Sequence, residues 1–306
     1  MIIKHLNLAN ITPFEEEAVL CLGYFDGVHL AHLALINEAR KLGKKVAVLT
    51  FYTNSESHAS RRHTYLNSDD DKIELFEHYG VDHVLFAIFD DEFTKISPND
   101  FIEHILNKLN IHTVVVGYDF RFGHKAKGSA LDLKESKTAN FKTTIVEKVE
   151  TNKSEVISTT LIKQKISEGK VREANELLNY NYKIRGKVVK GRGNGAKLGF
   201  PTANIAPIGN YVIPKTGVYA GTLIIDNVEY LGMINIGTHP SIEQLSEAII
   251  EIHVFDYNKR IYGKEVSLTF LNFEREEEKF ASVDKLIETM KNDEINIRSK
   301  YKNLLK

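Results

Sequence analysis

Two histidines stand three residues apart in Gly23-Tyr24-Phe25-Asp26-Gly27-Val28-His29-Leu30-Ala31-His32. At a helix start this spacing puts both rings on one face. There they can donate to phosphate oxygens beside the helix N-terminus. Gly23 and Gly27 permit a tight turn just before them. No carboxylate stands at a ligand-like offset, so a metal pair is the weaker reading. Two solvent-facing histidines beside a turn is the plain alternative.

A second cluster runs Gly117-Tyr118-Asp119-Phe120-Arg121-Phe122-Gly123-His124-Lys125-Ala126-Lys127-Gly128. Asp119 can orient a nucleotide or a metal, while Arg121, Lys125 and Lys127 can hold phosphates. The plain alternative is a solvated loop. A third piece, Ile157-Ser158-Thr159-Thr160-Leu161-Ile162-Lys163, offers hydroxyls at a helix start, which are usually caps and can equally receive a phosphate.

The most specific stretch is Lys190-Gly191-Arg192-Gly193-Asn194-Gly195-Ala196-Lys197-Leu198-Gly199-Phe200-Pro201-Thr202-Ala203-Asn204. Its glycines let backbone N–H groups approach phosphates, and Arg192 and Lys197 add charge. It lacks the P-loop pattern. Thr202 and Asn204, two apart on an extended segment, project to one side. A hydroxyl and an amide so placed can meet a Mg²⁺ bridging nucleotide phosphates and orient the transferred group.

The surrounding elements must hold these loops. Apolar strands at Ala18–Leu22, Val46–Phe51, Val84–Phe89, Thr113–Gly117 and Thr143–Val149 alternate with helical spacing at Leu33, Ile36 and Ala39, at 71–79 up to Gly80, and at 98–109 behind Pro98. This order predicts a parallel sheet with helices on both faces, a Rossmann-like α/β domain whose strand-to-helix loops bind ligands. Residues 159–178 read as helix with an interruption at Gly169. Beyond Tyr182 the pattern becomes strand-rich, at 183–190, 218–225, 230–235, 249–255 and 266–270, with Asp226-Asn227 as a hairpin turn. Short strands punctuated by Gly and Pro predict a small antiparallel β-barrel. A C-terminal helix follows, capped by Ser282, with Val283, Leu286, Ile287 and Met290 on one face. The expected domains are 1–158 and 183–306, joined by a helical linker at 159–182. The run Asp69-Asp70-Asp71 reads as a solvated helix start.

The chain has 306 residues, a length that suits two domains, with a formal net charge of -1, so no global basic field points to nucleic acid. The single cysteine, Cys21, excludes an internal disulfide and a Cys-rich zinc site and reads as a buried thiol. No basic leader precedes an apolar run, and no apolar stretch approaches ~18 residues. A cytoplasmic protein without membrane or nucleic-acid partners is expected.

The motifs taken together resemble the bacterial bifunctional riboflavin kinase/FAD synthetases. GxFDGVHxGH, VGxDFxFGxxxxG and SSTxIR appear in order in the first domain. GxxLGFPTAN appears in the second, followed by the P-x-x-GVYA-like Pro214–Ala220, the NIGxxPT-like 235–241, the ExHxxD-like Glu251–Asp256, Tyr262-Gly263, and the RxExKF-like Arg275, Glu277, Lys279 and Phe280. The resemblance implies that the second domain phosphorylates riboflavin with Mg-ATP to give FMN, and that the first transfers the adenylyl group of ATP to FMN to give FAD. It implies ATP phosphate contacts from His29, His32, Ser158, Thr159 and Lys163, with Gly23, Phe25, Asp26 and Asp119 in the nucleotide or flavin site. In the second domain it implies a nucleotide loop of Gly191, Gly195, Lys197, Gly199 and Pro201. Thr202 would ligate Mg²⁺, Asn204 would position phosphates, and Glu251 would be the general base.

Besides Ser241 for threonine, three departures from the family pattern matter. Ala31 replaces the glycine of HxGH, Lys163 replaces an arginine and lacks its bidentate fork, and Phe51-Tyr52-Thr53-Asn54-Ser55 stands where Phe-x-Pro-His-Pro is usual. A kinase with an impaired first domain, and a flavin- or nucleotide-responsive regulator without turnover, are the alternatives. The second is disfavoured by the intact Thr202, Asn204 and Glu251 and by the lack of a basic DNA-binding segment.

Overall fold

A computed structural model describes residues 1–53, 64–191, 193–238 and 248–304. The chain divides into two compact units, Met1–Thr159 and Thr160–Lys306.

The strands of the first unit are β1 (Ile2–His5), β2 (Ala18–Leu22), β3 (Lys45–Phe51), β4 (His83–Ala87), β5 (Ile111–Gly117), β6 (Arg121–Phe122), β7 (Gly128–Ser129) and β8 (Lys142–Val146). Six of them form one parallel sheet in the order β1-β4-β3-β2-β5-β8, and β6 and β7 make a small hairpin. All of β2 is buried, which an unbroken apolar run permits when both faces of the sheet are covered. The chain runs from β2 to β3 and β4 on one side, then crosses to β5 on the other. The carboxyl ends of β2 and β5 therefore flank the switch point of the sheet, where ligands bind in such folds. The edge strand β1 carries mostly exposed residues, and its pattern gave no strand signal.

Helix α1 (Leu30–Lys41) follows β2 and buries Leu33, Leu35, Ile36 and Ala39. Helix α2 (Asp69–His78) starts at a capping box between Ser68 and Asp71 and stops at Gly80, whose φ is +63°. The expected solvated start is therefore corrected. Asp70 is exposed, but Asp71 is buried in the box, and Asp69 accepts from the Thr53 N–H at 3.0 Å. Helix α3 (Asp91–Lys95) precedes the helical segment 98–108, which passes from an α turn through a π turn to a 3-10 turn. Helix α4 (Ala130–Glu135) carries a second capping box, between Ser129 and Asp132.

Helices α5 (Thr159–Ser167) and α6 (Val171–Leu178) are separated at Gly169, whose φ is +80°. Asn175 ties α6 to the barrel, donating to the Phe270 carbonyl at 2.9 Å and accepting from the Tyr182 N–H at 2.8 Å. Strands β9 (Lys183–Val189), β10 (Ala203–Pro207), β11 (Gly217–Ile225), β12 (Val228–Thr238), β13 (Ala248–Val254) and β14 (Glu265–Arg275) close an antiparallel barrel in the order β10-β13-β12-β11-β14-β9. Asp226 and Asn227 both take positive φ between β11 and β12, as a two-residue hairpin turn requires.

Alternation along the strands fills the lumen with Ile205, Tyr219, Ile234, Ile250, Ile252 and Phe270, all buried. The outer face is partly covered by helix α7 (Val283–Lys300), whose Ser282 cap accepts from the Lys285 N–H. Ile297 and Met290 pack there against Val218, Leu231, Met233 and Phe255. Val283, expected on the apolar face, is exposed.

Candidate active sites

In the first unit the loop between β2 and α1 is tightly wound. Phe25, Gly27 and Val28 all take left-handed φ, of 51°, 92° and 36°. Only the glycine adopts that region without strain; a buried β-branched Val28 there is held by its surroundings. Gly23 N–H donates to the Leu49 carbonyl, Thr50 Oγ1 donates to the Tyr24 carbonyl at 2.8 Å, and Asp26 Oδ1 accepts from the Leu66 N–H at 2.7 Å. Thr159 Oγ1 donates to the Asp26 carbonyl at 2.9 Å. Three distant pieces of sequence thus converge on one strained turn.

The turn delivers His29 to the N-cap of α1, without a side-chain cap. His32 lies one turn on. Their rings stack at 3.7 Å with an interplanar angle of 17°, and Phe25 packs against His32 at 4.9 Å. The Nδ1 atoms of both histidines are buried without a hydrogen-bond partner. Burial pushes His29 down to about 4. It pushes His32 well below its usual value too, helped by His29 and by the ammonium of Lys72. Both rings are therefore neutral near pH 7, with polar edges that lack protein partners at the positive end of a helix dipole. Thr159 has given its hydrogen to Asp26, so it can only accept from His29 Nε2, 3.5 Å away.

The loop after β5 lies at the other side of the switch point. Asp119, Arg121, Lys125 and Lys127 are exposed there, with Arg121 Nε donating to the Ala126 carbonyl. A Cβ on Gly117 would lie 3.2 Å from Asp119 Oδ1, so the carboxylate sits close over the strand end. Ser158 is half-buried at the end of its loop, and Lys163 lies on α5 in the second unit. Ala31 continues the first turn of α1.

Two features here escaped the sequence. Tyr24, Phe51 and Phe89, at the carboxyl ends of β2, β3 and β4, form a ring cluster with Tyr24–Phe51 at 4.9 Å and Phe51–Phe89 at 5.2 Å. Lys72, 1% exposed, donates to the Phe51 carbonyl at 2.8 Å and lies 3.6 Å from Asp69. Nothing in sequence spacing brings such residues together. Asn54 and Ser55, from the departing Phe-x-Pro-His-Pro segment, lie outside the described residues.

In the second unit the site lies on the outer face of the barrel. Asn204 on β10 pairs with Glu251 on β13, and Glu251 pairs with Asn235 on β12. Directly paired residues share a face, so these three stand in one row, with Thr202 one pleat before Asn204. All four are half-buried. Among the described residues none of their side chains makes a hydrogen bond or an ion pair.

The glycine loop folds against this row, which explains its composition. A Cβ on Gly191 would lie 2.1 Å from Asn204 Nδ2, and one on Gly195 would lie 2.4 Å from the Phe200 carbonyl and 3.3 Å from Thr202 Oγ1. Gly199 takes φ +86°. Lys197 ends the single helical turn Asn194–Lys197 and is exposed, and the Pro201 carbonyl accepts from His253 Nδ1 at 2.8 Å. Asn235 was visible as a motif letter, but its pairing with Glu251 was not. Tyr211, Tyr219 and Phe255 are buried core residues. Arg192 and 239–241 lie outside the described residues.

Residues 11–160 match the FAD synthetase family and residues 178–301 the riboflavin kinase family. The chain is 37% identical over 293 residues to a bifunctional riboflavin kinase/FMN adenylyltransferase of Listeria monocytogenes, covering 94% of this chain and 93% of the relative. It is 33% identical over 304 residues to the protein of the same description from Bacillus subtilis, covering 95% and 96%. A crystal structure described as a macrolide-efflux protein from Streptococcus pneumoniae superposes with a TM-score of 0.88 at 30% identity, over 97% of this chain and 99% of that one. Among the described residues no helix is long and apolar enough to cross a membrane.

Proposed function

The chain belongs to the bifunctional riboflavin kinase/FMN adenylyltransferase family, and from that premise we propose how its residues divide the work. The enzyme phosphorylates riboflavin with ATP to give FMN, and adenylylates FMN with ATP to give FAD and diphosphate. The reading of the sites is carried by one observation: the Nδ1 atoms of His29 and His32 in one unit, and the Thr202, Asn204 and Glu251 side chains in the other, have no hydrogen-bond partner among the described residues.

In the barrel unit, Glu251 accepts the proton of the ribityl 5′-hydroxyl as that oxygen bonds to the γ-phosphorus and ADP departs. Asn204 and the glycine loop position the phosphates, with Lys197 adding charge. Mg²⁺ suits this site. Thr202 and Asn204 offer neutral oxygen donors, and Gly191 and Gly195 leave room where a Cβ would fill the cradle. Among the described residues no group of three or more His, Cys, Asp or Glu could hold a metal, in keeping with an ion that arrives on the phosphates. Thr202 would hold it, and it would supply neutralisation of phosphate charge.

In the α/β unit, an FMN phosphate oxygen attacks the α-phosphorus of ATP and diphosphate leaves. No covalent enzyme intermediate is needed, and catalysis is positioning plus electrostatics. His29 and His32 bind the ATP phosphates at the start of α1, Ser158 and Thr159 complete the phosphate contacts, and Gly23, Phe25 and Asp26 hold the loop. The cluster of Tyr24, Phe51 and Phe89 offers aromatic faces and edges against which an isoalloxazine ring can pack, and Asp119 faces the nucleotide or flavin. A cytoplasmic setting accords with the sequence.

The test is chromatography of flavins formed from riboflavin, ATP and Mg²⁺ by the purified protein. FMN followed by FAD is expected. FMN alone, with none adenylylated when FMN is supplied, would leave the first unit a relic. Bound but unconverted riboflavin would remove the enzyme reading.

A further inference from the structure

Glu251 has an asparagine on each side. Asn204 is pressed against Gly191 and engaged by the nucleotide loop. Asn235 lies on the opposite flank, on β12. It continues the outward row of β12 after Leu231 and Met233, both buried. An amide at the end of such an apolar row loses packing and desolvation energy unless it has polar work to do.

A second carboxylate defines that work. Gly237 follows Asn235 on the same face of β12. A Cβ there would lie 2.9 Å from Glu277 Oε1 and 3.6 Å from Asn235 Nδ2. Glu277, from the segment after β14, therefore rests on the backbone beside Asn235. Asn235 thus has Glu277 near its amide and Glu251 as its cross-strand partner. An amide nitrogen carries two donors and a carboxylate accepts several hydrogen bonds. Neither glutamate is given a protein partner among the described residues.

We propose that Asn235 is a positioning residue for riboflavin phosphorylation, whose side-chain amide aims the Glu251 carboxylate at the ribityl hydroxyl and separates it from Glu277. This rests on the reading of Glu251 as the base. During the step the hydroxyl O–H bond breaks toward Glu251, an O–P bond forms, and the P–O bond to ADP breaks. Asn235 itself exchanges no proton. It fixes which carboxylate oxygen faces the substrate. The charged groups around Glu251 on this face are Glu277, Arg275 in the next aligned position beyond Val218, and His253 on β13, whose Nε2 lies 3.9 Å from Glu294 of α7.

The experiment measures kcat and KM against pH for FMN formation by the full chain, in wild type, Asn235→Asp, Asn235→Leu, Asn235→Ser and Glu251→Gln. A barrel melting transition at the wild-type temperature reports that each variant is folded. Asn235→Leu is expected to lower kcat by about 10- to 100-fold, with KM for ATP within about twofold. Asn235→Ser, which keeps a donor, is expected to recover part of that loss. Asn235→Asp is isosteric and adds a like charge, so the acidic limb of kcat moves up by about one pH unit. An unchanged pH profile in Asn235→Asp, or an undiminished kcat in Asn235→Leu, overturns the proposal. Wild-type rates in Glu251→Gln overturn the base assignment instead, and the proposal with it.

Discussion

The two catalytic surfaces of this chain are built on opposite plans. In the α/β unit the histidine loop and its support are part of the core: His29 and Asp26 are 4% and 6% exposed and Lys72 nearby 1%, and the backbone of the loop is wound through left-handed conformations at Phe25 and Val28. In the barrel the functional residues stand on the outer face, half-buried, while a separate set of aliphatic and aromatic residues fills the lumen. The first site holds its geometry by being load-sharing with the fold. The second holds it by strand register, which is set elsewhere. Substitutions in the first should therefore cost both activity and stability, and in the second activity alone.

The sharpest way to break this contrast is Glu251→Gln. It should lower FMN formation by about 10²- to 10⁴-fold, leave FAD formation from supplied FMN intact, and leave the melting temperature where it was. A loss of melting temperature would mean that the row is structural after all. His29→Ala should lower FAD formation by about 10²- to 10³-fold, the scale of losing one well-placed donor, and spare FMN formation. It should also lower the temperature at which FAD-forming activity is lost on heating, and a merely catalytic effect would refute the shared plan. Gly191→Ala sets a methyl against Asn204 and should slow FMN formation by about 10- to 100-fold through displacement of that side chain, with the lumen untouched.

The smallest effect is a pH dependence of stability. His29 is held down to about 4 by burial, and His32 is lowered by the same cause. The unfolded chain takes up protons on these rings below about 6.5, while the folded chain resists. Their contribution is thus present above that pH and is lost as pH falls toward 4, by on the order of 1–3 kcal/mol. Heat inactivation followed at pH 7 and pH 5 should show FAD formation losing more ground at the lower pH than FMN formation. Equal losses would mean that the histidine pair is not dry.

Much of this plan was legible in the letters. The histidine spacing, the Gly80 stop, the Asp226-Asn227 turn and the glycine loop each have a local physical cause, and local causes survive into the structure. The strand bearing Asn204 was not seen. Ala203-Asn204-Ile205-Ala206-Pro207 has few strand-favouring residues, and its identity comes from its two neighbours. The solvated reading of Asp69-Asp70-Asp71 failed for the same reason, because Thr53 and Ser68 are what bury two of the three. Asn235 and the Tyr24–Phe51–Phe89 cluster depend on register and on strand ends meeting, which no window of sequence contains.

The barrel's alternation has an evolutionary consequence. Along β13, Ile250 and Ile252 answer only to the volume of the lumen, while Glu251 and His253 answer to what lies outside it. A single strand is thus under two unrelated selective pressures that change places at every residue. Inward positions can drift among aliphatics of similar size without altering the chemistry. The outward ones can be retuned toward another substrate without the fold having to follow.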